Sequence, residues 1–259
     1  MLLGCQFLLC LAGLIATSQA ATAFDEALYA ELLQRHTASV ADTAGTRVDY
    51  GALGASAEWR RLLASLAATD PSSFARSDRL AFYINAYNVL AIDSVRRGYP
   101  VESIRDLGSL IWPIWVRTAG KIAGEDVSLH EIEHEILRPM GEPRIHAAIV
   151  CAAVSCPSLL REPWRGDRLD VQFETALRGW LGDPRKGLSI DRARSEVRLS
   201  RIFKWFSGDF EPVGGVIGFA GPYLPDADQR WLAEHAEEIE IEYLEYDWSL
   251  NDQPADPIR

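Results

Sequence analysis

Residues 76–98, RSDRLAFYINAYNVLAIDSVRRG, decide how the rest of the chain is read. The spacing predicts one long helix. Its apolar positions, among them Leu80, Phe82, Ile84, Tyr87, Val89, Leu90, Ile92 and Val95, wrap most of the way round. A helix apolar on nearly every side is a buried helix. Gly98 and Pro100 end it, because glycine closes helices and proline cannot extend them.

Upstream, FDEALYAELLQRH (24–36) and ASAEWRRLLASLAA (55–68) have helical spacing, with a short extended piece at TRVDY (46–50) and a loop at Asp70-Pro71. Downstream, IWPIWV (111–116) is interrupted by Pro113 and reads as a loop or edge segment,. Its tryptophans could line a groove, although such residues more often fill core. KIAGEDVSL (121–129) reads as a small hairpin leading into the helix SLHEIEHEILR (128–138). Ser128 is its N-cap, Glu131 completes a capping box, and Pro139 stops it after Arg138,.

RIHAAIVCAAVSCPSL (144–159) is read as a strand from Arg144 to Val150 running into a turn or short helix. That register puts His146, Ala148 and Val150 on one face and Cys151 on the other. DVQFETALRGWLGD (170–183) is an amphipathic helix and GLSIDRARSEVRLS (187–200) a hairpin,. IFKWFSGDF (202–210) and DADQRWLAEHAEE (226–238) are helices, and IEIEYLEYDWSL (239–250) is a late strand. Many helices with a few separated strands give an α+β fold, helix-rich, with a small and mostly antiparallel sheet. No Pro/Gly/Ser-rich linker divides it, so residues 21–259 are expected to form a single globular domain.

The first 20 residues, MLLGCQFLLCLAGLIATSQA, carry no charged side chain, and Ser18 and Ala20 precede a cut before Ala21. They read as a signal peptide, and the apolar run is shorter than the ~20 residues a membrane span needs. No later segment is long and apolar enough to span, so the mature chain is expected in the periplasm or secreted. The chain has 259 residues, net charge −11 and a pI near 5.0. That acidity argues against nucleic acid as a partner, since phosphate binding needs a basic surface. The expected partner is an unidentified small molecule or envelope protein, and no cofactor is called for.

With the signal removed, Cys151 and Cys156 are the remaining cysteines. An exported compartment is usually oxidising, so a disulfide between them competes with a reactive thiol. His130, Glu131 and His134 also spell H-E-x-x-H. Two imidazoles one turn apart can hold zinc while the glutamate activates water. A third ligand is required, and the sequence offers none at a telling spacing, so no metal ligand is assigned.

Five segments in order, FYINAYNVL (82–90), IEHEILR (132–138), RIHAAIVCAAVSCPSL (144–159), LSRIFKWFSGDF (199–210) and YDWSLN (246–251), resemble the domain-of-unknown-function family numbered 547. The resemblance covers about residues 75–251. That family is widespread in bacterial envelope proteins. Its motif falls on Ile132, Glu133, His134 and Arg138, and leaves His130 and Glu131 outside. His146 and Cys151 match directly, and Cys156 matches the bacterial form.

These residues suggest a thiol-dependent hydrolase or transferase acting on an amide, ester or thioester bond. Cys151 would be nucleophile, with His146 or His134 as base, since a thiol needs a neighbouring proton acceptor. Glu133 or Asp247 would orient the imidazole, and Asn85 or Asn88 would donate to an oxyanion. On a structural reading Asn85 and Asn88 would instead satisfy backbone groups, and Asp247 would cap a turn or pair with Arg138. The order His before Cys is the reverse of papain-like enzymes and would require a permuted fold. Two further readings stand beside this one: a noncatalytic envelope module that binds a ligand or partner, and the zinc hydrolase built on His130, Glu131 and His134.

Overall fold

The helix expected over 76–98 forms over Arg76–Gly98, and every residue from Asn85 to Val95 is buried. Asp78 in its first turn and Arg96 and Arg97 in its last complement the helix dipole,. A carboxylate on so buried a helix needs partners. Asp93 accepts from the Trp59 indole at 3.0 Å and pairs with Arg96 and Arg97.

This computed structural model describes residues 23–253. The expected signal peptide, residues 1–20, lies outside them. The described chain opens with α1 (Glu26–His36), the antiparallel pair β1 (Thr37–Ser39) and β2 (Thr46–Val48), the helical turn α2 (Tyr50–Leu53) and α3 (Ala57–Ala68). Then come α4 (Arg76–Gly98) and the hairpin β3 (Thr118–Ile122) and β4 (Glu125–Ser128). After a long irregular passage follow α5 (Leu169–Leu181) and the hairpin β5 (Leu188–Asp191) and β6 (Glu196–Leu199). The short helices α6 (Arg201–Trp205), α7 (Ser207–Phe210) and α8 (Gly215–Ala220) lead to α9 (Asp226–Glu234) and β7 (Glu240–Tyr243). The fold is helix-rich α+β with small sheets, as expected. One hydrophobic core runs from Phe24 to Leu250 and contains α4 along its length. Gly120 lets β3 lie directly on α4, where a Cβ would collide with Leu90.

Three expectations are corrected. First, Arg144–Val150 is not a strand: Pro143–Ala147 winds as a 3-10 helix and Ala148–Val150 is irregular. Proline at the first position fixes a helical φ, the Glu142 carboxylate caps the Arg144 N–H, and no strand edge lies alongside,. Second, the helix after Ser128 does not stop cleanly at Pro139. It widens into a π-helix over Glu131–Leu137, and Pro139 sits in a 3-10 turn, Arg138–Met140, closed by Gly141 at φ 68°. Third, β7 is short and runs parallel to β6. The chain beyond Leu244 runs on without a regular strand toward Asp252.

Candidate functional site

The site rests on irregular backbone, and buried backbone polar groups must find partners. Asn85 and Asn88, three apart on α4, supply them. The Asn85 amide bonds both N–H and C=O of Trp164, at 2.9 and 2.8 Å. The Asn88 amide donates to Ala148 O at 2.9 Å and accepts from Val150 N at 2.8 Å. Each amide thus braces the chain through a donor and an acceptor, and neither lines the cavity as an oxyanion donor.

Pinned at Val150, the chain turns sharply. Ala152 has φ 65°, a left-handed conformation that costs a residue with a Cβ about 1 kcal/mol,. The next residues dock on the C-terminal segment. Asn251 N donates to Ala152 O at 2.9 Å, Val154 N to Ser249 O at 2.9 Å, and Asp247 N to Ser155 Oγ at 2.8 Å. Asp247 itself caps a turn, accepting from the Ser249 N–H and hydroxyl at 2.8 and 2.6 Å. It therefore orients no imidazole and does not pair with Arg138, as the sequence had suggested.

This docking brings Cys151, Cys156 and Tyr246 together. Both cysteines are free thiols, with the sulfurs 2.9 Å apart, so the expected disulfide alternative is not the state described. The Cys156 sulfur accepts from the Cys151 N–H at 3.3 Å and the Tyr246 hydroxyl at 3.2 Å. Tyr246 lies 3.7 Å from the Cys151 sulfur. Burial alone would push the Cys156 thiol up. The hydrogen bonds from Cys151, Tyr246 and the surrounding backbone outweigh it and hold Cys156 below the usual thiol range. The Cys151 thiol is raised, first by its bond to Cys156 and then by burial and the neighbouring charge. When the pair ionises, these bonds favour the charge on Cys156 and the proton on Cys151. Cys151 is the more exposed of the two.

Opposite the sulfurs stands the π-helical turn. Ser128 and Glu131 form the expected capping box, at 2.7 and 3.1 Å. A π turn is wider than an α turn, so His130 and His134 lie almost in line and their rings stack at 4.4 Å. Glu131 is engaged in the cap, and His134 Nδ1 accepts from Arg138 at 2.8 Å. The H-E-x-x-H residues therefore do not converge as a zinc donor set, and no third His, Cys, Asp or Glu joins them among the described residues. Glu133 points inward, 7% exposed, 3.3 Å from the Tyr87 hydroxyl. Burial pushes its carboxyl up to about 7.

The orienting carboxylate is Asp209, which the sequence reading did not single out. Its Oδ2 accepts from His146 Nε2 at 2.8 Å, and both its oxygens pair with Arg138, at 2.7 and 2.8 Å. Its own burial opposes ionisation, but His146 and Arg138 together hold the carboxyl far below its usual range. Burial outweighs Asp209 for the imidazole, and His146 is lowered and neutral. An ionised Asp209 therefore fixes the tautomer: Nε2 carries the proton and Nδ1 the lone pair. The ring stacks on Phe206 at 4.4 Å. The sequence did hold a signal: Asp209 is the acid in LSRIFKWFSGDF, set among aromatics.

One cavity of about 260 Å³ gathers these groups. Cys151, Cys156, Glu133, His134 and His146 all line it, with Tyr87, Tyr246 and the aromatic wall Trp115, Trp205, Phe206 and Trp248. No hydrogen bond joins either imidazole to either sulfur. Trp115 is the part of IWPIWV that reaches the site, whereas Ile111 and Trp112 are exposed. Residues 71–181 match a protein family described as "Protein of unknown function, DUF547". That span holds both cysteines, Glu133, His134 and His146, while Asp209 and Tyr246 lie beyond it. No curated protein and no solved structure matches the chain.

Proposed function

We propose, starting from the match of residues 71–181 to the DUF547 family model, that this cavity is the active site of a thiol-dependent hydrolase or transferase acting on an acyl bond. One observation carries the reading: two sulfurs 2.9 Å apart with their charge stabilised by Tyr246 and backbone, inside a cavity that also holds Glu133 and two neutral imidazoles.

The chemistry follows from where the protons sit. Cys151 attacks the acyl carbon as its proton passes to Cys156, so the sulfur–carbon bond forms without an imidazole in contact. That transfer is uphill in the resting site, since Cys156 is the more acidic thiol, and formation of the sulfur–carbon bond draws it forward. Glu133, poised near neutral pH by burial, gives its proton to the leaving group as the carbon–heteroatom bond breaks. Water or a second acceptor then attacks the thioester, with Glu133 or His146 Nδ1 taking its proton, and Cys151 leaves as the thiol by taking back the proton that Cys156 holds. Asp209 and Arg138 hold His146 and His134 in place for this second half. Export to the periplasm or exterior, argued from residues 1–20, is part of the same proposal.

The sulfur separation also favours a second reading, a dithiol that reduces disulfides. A thiolate of the pair would displace one thiol from a substrate disulfide, and the other cysteine would displace the second. This leaves a Cys151–Cys156 disulfide that an external thiol must reduce. Single serine substitutions separate the readings, measured on thioester, ester and disulfide substrates. Cys151→Ser should abolish acyl transfer, whereas Cys156→Ser should leave a slowed activity that still acylates Cys151. Trapping of a mixed disulfide by Cys156→Ser, with no acyl turnover in the parent, would favour the dithiol. Unchanged ligand affinity and no chemistry in either variant would leave a noncatalytic binding module.

A further inference from the structure

The polar groups of the cavity are turned toward one another. Arg138 is occupied by Asp209 through two nitrogens and by His134 through a third. Tyr87 is bonded to Glu133, Tyr246 to the sulfur pair, and His146 Nε2 to Asp209. Among the described residues that line the cavity, none is an arginine or lysine that could receive a carboxylate or phosphate. What remains open to a ligand is mainly ring and aliphatic surface: Ile149 and Ile202 with Trp115, Trp205, Phe206 and Trp248. These rings pack against each other, Trp205 on Trp248 at 5.7 Å and Tyr246 on Trp248 at 4.6 Å. They form a wall rather than a hydrogen-bonding platform, and a sugar would find few partners for its hydroxyls.

We infer that the group docking beside Cys151 is an aliphatic chain without a negative charge, carrying its carbonyl at the sulfur end, and that Trp205 helps set the preference for chain length. The volume of about 260 Å³ suits one short chain rather than a polymer. Trp205 forms part of the wall yet is 45% exposed, so it can be changed without opening the core. This inference deepens the thiol reading, but its first test involves no reaction.

N-ethyl-, N-butyl- and N-hexylacetamide are titrated into the mature protein and followed by tryptophan fluorescence, beside hexanoate. Each added methylene should tighten binding about two- to fourfold. Hexanoate should bind at least tenfold more weakly than the hexyl amide. Trp205→Ala should flatten the chain-length series and Trp205→Phe restore most of it. Equal binding across chain lengths, or hexanoate binding as well as the amide, overturns the inference. The matching N-alkyl iodoacetamides then report on the thiol. Chain-length preference in binding with no alkylation of either cysteine would sink the thiol reading alone. Alkylation at a rate independent of chain length, judged against glutathione, would sink the inference alone.

Discussion

Glu133 shows how one buried group can couple stability to chemistry. Its carboxyl keeps a proton to about pH 7 when folded, against an ordinary value of 4.5. Between those values the folded chain binds the extra proton, so this contribution to stability is complete below 4.5 and is lost as pH rises through 7. The size is about 3 kcal/mol. Glu133→Gln should therefore match the parent at low pH and exceed it at pH 8, in urea midpoints taken across the range. The lowered His134 and His146 act in the opposite sense over an overlapping window, which is why the difference between variant and parent is the informative quantity. A parent no less stable than the variant at pH 8 would contradict the assignment. At this scale Cys151, Cys156, Glu133, His134 and His146 were legible, because their types announce proton and sulfur chemistry. Asp209 was not: it lies 63 residues from His146, and no spacing rule links an orienting carboxylate to its imidazole.

Among the elements, α4 does two jobs. Its apolar circumference forms the core, and its two buried asparagines brace irregular chain that no strand supports. Asn88→Ala would leave Ala148 C=O and Val150 N–H buried without partners. The expected loss is about 2–4 kcal/mol by denaturant unfolding, with Cys151 alkylation losing any acceleration over a free thiol. A loss below 1 kcal/mol would mean that the loop holds its shape without the amide. The burial of α4 was readable from its apolar circumference alone. The function of its asparagines was not, since an amide in a sequence looks the same whether it faces a substrate or a neighbouring peptide. The 3-10 turn at Pro143 was misread as strand because a short apolar run fits either state, and what decided it was the lack of a neighbouring strand edge. The π-helix was unreadable in advance: its residues favour an α-helix, and only tertiary packing widens the turn.

For the whole molecule, the spatial requirement was that distant segments share one hollow. They do: α4, the π-helical turn, the Cys151–Cys156 loop, the α6–α7 segment and the irregular Tyr246–Trp248 segment all meet there. The matched family span ends at residue 181, so the Asp209 carboxylate and the Tyr246 hydroxyl reach the site from outside it. The sulfur pair is the centre of the account. The direct measurement is the rate of iodoacetamide modification of Cys151 and Cys156 in the folded protein against pH, located by peptide mass spectrometry. The account predicts modification concentrated at the more exposed Cys151, with a midpoint set by ionisation of Cys156, which takes its proton, and so below the free-thiol value of about 8.5, and a midpoint about one pH unit higher in Tyr246→Phe. Folded protein that resists modification, or a midpoint at or above the free-thiol value unmoved by Tyr246→Phe, would contradict it.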